Sequence, residues 1–123
     1  VLQRVVEIME DGGDRTAVWE EKRKLAWTKH KVGDYDLAEE LYNEIMLEAK
    51  ESGVELGYEG SEIPLIVMGN LAKLLHDTGR TTEAEQCNLQ TLEAKVKLHG
   101  KVDRSTLASM TNLAALYMDT GRP

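Results

Sequence analysis

The sequence predicts an all-α chain of about six helices, paired into antiparallel hairpins and stacked as an α-solenoid. Three observations predict it. Asn70 to Arg80 reads Asn-Leu-Ala-Lys-Leu-Leu-His-Asp-Thr-Gly-Arg, and 42 residues later Asn112 to Arg122 reads Asn-Leu-Ala-Ala-Leu-Tyr-Met-Asp-Thr-Gly-Arg. A weaker copy lies upstream, where Leu25, Ala26 and Gly33 stand 46 residues before Leu71, Ala72 and Gly79. Apolar residues recur at helical spacing in segments punctuated by glycine, and a period of about 40 residues marks units too thin to bury their own apolar faces, which must stack.

In chain order, Val1, Leu2, Val5, Val6 and Met9 predict a helix to about Glu10, ended by Asp11-Gly12-Gly13-Asp14. By its place in the repeat this is the second half of a preceding unit's outer helix. Asp14 is the expected N-cap of a helix to Lys31, whose apolar positions are sparse (Val18, Trp19, Leu25, Ala26). After Gly33-Asp34, Leu37, Ala38, Leu41, Tyr42, Ile45, Met46 and Ala49 form the clearest amphipathic stripe, ending near Ser52. Asp36, Glu39, Glu40, Glu44 and Glu48 are read there as the solvated face. Gly53, Gly57 and Gly60 mark a connection of about ten residues, the least ordered part expected. Ser61 is the expected cap of the next helix, with Pro64 in the first turn, where a missing N–H costs nothing. It runs to Asp77. Its partner runs from Glu83 to His99 and stops at Gly100. Asp103, 42 residues after Ser61, caps the last helix, whose Leu113, Leu116 and Tyr117 are expected to be partly uncovered. The organisation is one repeat domain over 1–123: 1–11 from a preceding unit, 14–52 and 61–99 as full units, 103–123 as a truncated third. The stretch reads as part of a longer chain.

Composition narrows the function. The formal charge of −7 is uneven: Val1 to Val32 carries +1, Gly33 to Pro64 −9, and Leu65 to Pro123 +1. A chain with no clustered basic face is a poor nucleic-acid ligand. No apolar run approaches the roughly 20 residues that span a bilayer, so no membrane partner is expected. One cysteine, Cys87, permits no internal disulfide, and no Asn-x-Ser/Thr occurs, so a reducing, cytoplasmic setting is expected. No phosphate-cradling glycine loop, Gly-x-Ser-x-Gly or His-Glu-x-x-His is present. Neither an enzymatic activity nor a cofactor is expected, and Cys87 is read as a small core residue.

The order Leu-Ala, then an aromatic or Leu, then Gly at the turn and Ala in the next helix resembles the tetratricopeptide repeat. Leu25, Ala26, Gly33, Ala38 and Tyr42 match one unit. Leu71, Ala72, Leu75, Gly79 and Ala84 match the second, and Leu113, Ala114, Tyr117 and Gly121 the truncated third. The longer period and the Asn-Leu-Ala-x-Leu-Tyr wording resemble the kinesin-light-chain variety, also found as C-terminal arrays in fungal immune-receptor-like NTPases. The sequence departs from the family at Asn88, where an aromatic is usual, at Ile45 and Thr91, where a small residue is usual, and at Lys29, in the place of Tyr117. The resemblance implies a right-handed superhelix whose first helices line a concave groove that holds peptide. Projected here, that wall is Arg23, Lys24, Trp27, His30 and Lys31, then Asn70, Lys73 and His76, then Asn112, Ala115 and Met118. Asn70 and Asn112 each offer a donor and an acceptor for peptide main chain. The lysines favour an acidic or C-terminal segment, and Trp27 is the expected aromatic anchor. The family's carboxylate clamp for chaperone tails is matched only at Asn70 and Lys73, with Ala108 and Ala115 interrupting it, so such tails are not the expected ligand.

Two other readings follow from the same residues. The uncovered stripe on the last helix suggests self-association with an idle groove. His30 and His76 occupy equivalent places on adjacent hairpins, which suggests a metal-dependent site. Stacked helices roughly 10 Å apart hold two imidazoles too far apart to share a metal at about 2 Å unaided.

Overall fold

The computed structural model describes residues 15–119 and 121, five helices and no strand among them. The helix expected at 1–10 and its cap Asp14 lie outside the described residues. The elements are α1 (Arg15–Lys31), α2 (Tyr35–Glu51), α3 (Glu62–Asp77), α4 (Thr81–His99) and α5 (Arg104–Asp119). Each packs on its neighbour in sequence, and α1 also packs on α3. This is the nearest-neighbour logic of a solenoid. Thus α1, α3 and α5 are first helices of successive units, α2 and α4 their outer partners.

The ends of the helices follow local chemistry. The Asp34 carboxylate accepts from the Leu37 N–H at 3.4 Å and opens α2. Asp103 accepts from the Ser105 N–H at 3.0 Å and opens α5. Cationic Lys29 and Lys31, and Lys50, sit in the last turns of α1 and α2, where exposed carbonyls favour positive charge. Ser61 departs from expectation. Its hydroxyl makes no capping bond to α3; it donates to the Tyr58 carbonyl at 2.6 Å and accepts from the Gly57 N–H at 3.3 Å. The connection before α3 is accordingly a bonded turn. Gly57 has φ +96°, and a Cβ there would stand 3.1 Å from Lys97 Cβ, so the turn closes directly on α4 and a side chain there would be both strained and crowded.

Burial divides into two cores. Trp19 and Ala26 of α1, Ala38, Leu41, Tyr42, Ile45 and Ala49 of α2, and Val67 and Leu74 of α3 form the first. Leu75 of α3, Ala84 of α4, and Leu113 and Leu116 of α5 form the second. Neighbouring residues Leu74 and Leu75 serve different cores, since 100° of helical rotation turns them to different faces of α3. Ala26, Ala38, Ala72 and Ala84 are all buried. Their lack of bulk lets paired helices approach closely.

Two expectations about exposure are corrected. Glu48 is not on a purely solvated face: Lys22 Nζ donates to its Oε1 at 3.0 Å and Trp19 Nε1 to its Oε2 at 3.0 Å. Glu39 likewise accepts from Arg80 at 2.7 and 2.8 Å, and Arg80 also binds Glu83, tying the second turn to the first hairpin. Leu113 and Leu116 are buried rather than uncovered, and Tyr117 is half-buried with its hydroxyl 3.1 Å from Glu85. The apolar residues that α5 does expose are Leu107, Met110 and Met118. No helix among the described residues is long and apolar enough to cross a membrane.

Candidate functional site

The first helices leave a cleft of about 500 Å³ between them. One wall is α3, with Leu65, Ile66, Gly69, Asn70, Lys73 and His76; the other is α5, with Asn112, Ala115 and Asp119; Trp27 closes the α1 end. Residues at spacings of three and four share a helix face, which is why one stripe of α3 supplies so much of the lining. Gly69 is inside a helix, and a Cβ built on it meets nothing within 4 Å. The position is therefore open space above the cleft.

Six of the sequence-derived wall residues meet here: Trp27, Asn70, Lys73, His76, Asn112 and Ala115. The others go elsewhere. Arg23 is half-buried and salt-bridged to Glu20. Lys24 is exposed and pairs with Glu21 at 3.6 Å. Lys31 lies with its ammonium 4.7 Å from the centre of the Trp27 ring, a cation–π contact. Met118 is 79% exposed, away from the cleft. His30 is only 5% exposed, enclosed edge-on between Trp27 and Tyr35.

The histidines couple successive units. His30 Nε2–H donates to Asp77 Oδ2 at 2.7 Å, and His76 Nε2 lies 3.2 Å from Asp119 Oδ2. Both pairs run from the last turn of one first helix to the last turn of the next. Burial alone would raise the Asp77 carboxyl, but the hydrogen bond from His30 and the charge of Lys73, 3.5 Å away, more than offset it and hold its pKa below the usual carboxylate value. Each imidazole thus faces a different carboxylate. Among the described residues no group of three His, Cys, Asp or Glu side chains is arranged to hold a metal ion.

Beneath Asn70 lies the Tyr42 hydroxyl, fully enclosed and without a hydrogen bond of normal geometry. Burial pushes its pKa up to about 12, with Asn70 and Arg23 pulling the other way. A buried hydroxyl with no good partner contributes little, so Tyr42→Phe is expected to change stability by less than about 1 kcal/mol, in the stabilising direction. Urea denaturation of the two proteins checks this; a loss above that size would mean the hydroxyl is firmly bonded.

Two lining residues escaped the sequence reading because they belong to an outer helix. Asn88 and Lys95 of α4 reach the cleft between α3 and α5, where Gly69, Ala72 and Ala115 are too small to screen them. The replacement of the usual aromatic by Asn88 was the one available signal. Cys87, beside it, is half-buried with its thiol pKa raised by burial, as suits a packed rather than a reactive thiol.

Residues 65–104, spanning most of α3, all of α4 and the entry to α5, match the family model described as tetratricopeptide repeat. That segment is similar to one tetratricopeptide repeat. The crystal structure of BtubC (BKLC) from P. vanneervenii superposes with a TM-score of 0.86 at 21% identity, over 97% of this chain and 46% of that one. The present chain therefore spans about half the length of that protein, with which it shares the helical-repeat fold. No curated protein is a significant sequence match. Tetratricopeptide repeats generally mediate protein–protein interaction.

Proposed function

We propose that this tetratricopeptide-repeat chain is a non-catalytic recognition module that holds a peptide or protein segment in the cleft between its first helices, within a larger cytoplasmic scaffold or sensor of the kinesin-light-chain-like variety. The observation that carries the reading is the pair Asn70 and Asn112. They stand one repeat apart on facing walls of the cleft; Asn112 makes no side-chain hydrogen bond to a described residue, and Asn70 interacts only with the Tyr42 hydroxyl beneath it. Amides placed in this way, with donor and acceptor capacity to spare, suit the main chain of an extended segment, which offers donors and acceptors at regular intervals. Lys73, although partnered by Asp77, adds positive charge to the same wall and favours an acidic segment.

Gly69 provides the test. Because its Cβ position is open, Gly69→Leu adds bulk on the cleft side of α3, and replacing a helical glycine is expected to raise stability by roughly 0.5–1 kcal/mol. Peptides selected from a random library on the parent protein are expected to lose more than about tenfold in affinity for the variant, while its melting temperature holds or rises. Undiminished binding to a well-folded Gly69→Leu protein would place the partner elsewhere.

Leu107, Met110 and Met118 on α5 support a second reading, self-association with the cleft idle. Sedimentation velocity distinguishes them: a concentration-dependent dimer abolished by Leu107→Glu favours assembly, and a monomer that binds peptide favours recognition.

A further inference from the structure

Resting on the cleft reading above, we propose that Lys95 and Asn88 form a subsite on the cleft floor for an acidic side chain of the bound segment, Lys95 taking the carboxylate and Asn88 a neighbouring main-chain amide. Both residues come from the outer helix α4, beneath the walls that carry Asn70 and Asn112.

Asn88 is 8% exposed, lines the cleft and makes no hydrogen bond to any described residue. An amide turned to the cleft in this way keeps its donors and its acceptor for a ligand. Lys95 is half-buried, and its ammonium touches only the Ser105 carbonyl, at 3.4 Å. The other charges of the cleft already have partners: Lys73 with Asp77, and His76 with Asp119. Among the described residues no carboxylate is salt-bridged to Lys95. Burial accordingly lowers its pKa from the ordinary lysine value, with Asp103 restoring part. A desolvated cation facing an opening calls for an anion, and the pairing is stronger in such a site than at the surface. Asn88 and Lys95 lie two turns apart, about 10 Å along α4. A lysine side chain leans toward the N-terminus of its helix, which shortens the gap. That span suits one acidic side chain and the peptide bond beside it. The anion comes from a side chain rather than a chain terminus because the floor lies below the line that Asn70 and Asn112 give the main chain.

The test uses the whole chain and a random dodecapeptide library with amidated C-termini, which removes the terminal carboxylate as a source. The tightest selected peptides are expected to carry an acidic residue whose replacement by the amide isostere (Glu by Gln, Asp by Asn) weakens binding about tenfold. Lys95→Met should weaken the acidic peptide by a similar factor and bind acid and isostere alike; a melting curve confirms its fold, and Lys95→Gln gives the same answer with the polar contact kept. The acid and isostere comparison on the parent protein needs no variant. The proposal is overturned if Lys95→Met still discriminates acid from isostere as the parent does, or if selected peptides carry no acidic residue. In either case continued loss of binding in Gly69→Leu would leave the cleft reading standing. Binding unaffected by Gly69→Leu, or no selectable peptide, would remove both.

Discussion

Glu48→Ala is expected to destabilise the chain by about 3 kcal/mol, lowering its melting temperature by roughly 10 °C. Lys22 has a side chain only 11% exposed, and Glu48 supplies its closest counter-charge, at 3.0 Å. The second oxygen of the same carboxylate accepts from the Trp19 indole. Deleting it strands a cation and an indole N–H at once, and a buried charge without its partner costs far more than the pair contributes when intact. Glu44, 3.7 Å from Lys22, limits the loss by offering a second carboxylate. Lys22→Met in the Glu48→Ala background should recover much of the stability, because no charge is then left buried. Equilibrium urea unfolding measures both variants; a Glu48→Ala effect under about 1 kcal/mol would class the pair with ordinary surface bridges.

Leu74→Ala is expected to cost between about 2 and 5 kcal/mol, the range for truncating a fully enclosed leucine. Leu74 is 0% exposed and joins α3 to the core it shares with α1 and α2. Since the repeat interfaces contribute nearly independently, Leu116→Ala in the other core should be about as costly, and the double variant should sum the two within about 0.5 kcal/mol. Calorimetry on the single and double variants would show it. Strong non-additivity would mean that the two cores act as one.

Much of the architecture was legible because it rests on local signals. Gly33, Gly79 and Gly100 lie just beyond helix ends with positive φ, Asp34 and Asp103 cap the helices they precede, and the 42-residue recurrence gives the stacking order. The cleft was legible in part. The stripe that carries Asn70, Lys73 and His76 follows from helical spacing, and Asn112 from the repeat. His30 was placed on the same stripe by the same argument, yet it is enclosed, because Trp27 and Tyr35 close over it and Asp77 reaches it from the next unit. Periodicity assigns a side chain to a face of its helix; it does not say how deep that face lies once a neighbouring helix is laid against it.

For the five described helices, the sequence by itself determined their order, their ends to within about two residues, and which of them repeat. These depend on contacts within a few residues: caps, glycine turns and the period of apolar side chains. The tertiary structure alone decided that Glu48 clamps Lys22 and Trp19, that the two histidines bind carboxylates of the following unit, and that Asn88 and Lys95 look out through the gap between α3 and α5. Each of those is a meeting of residues from different helices, governed by how closely the helices approach, and that distance is set by the summed volume of side chains no single segment contains.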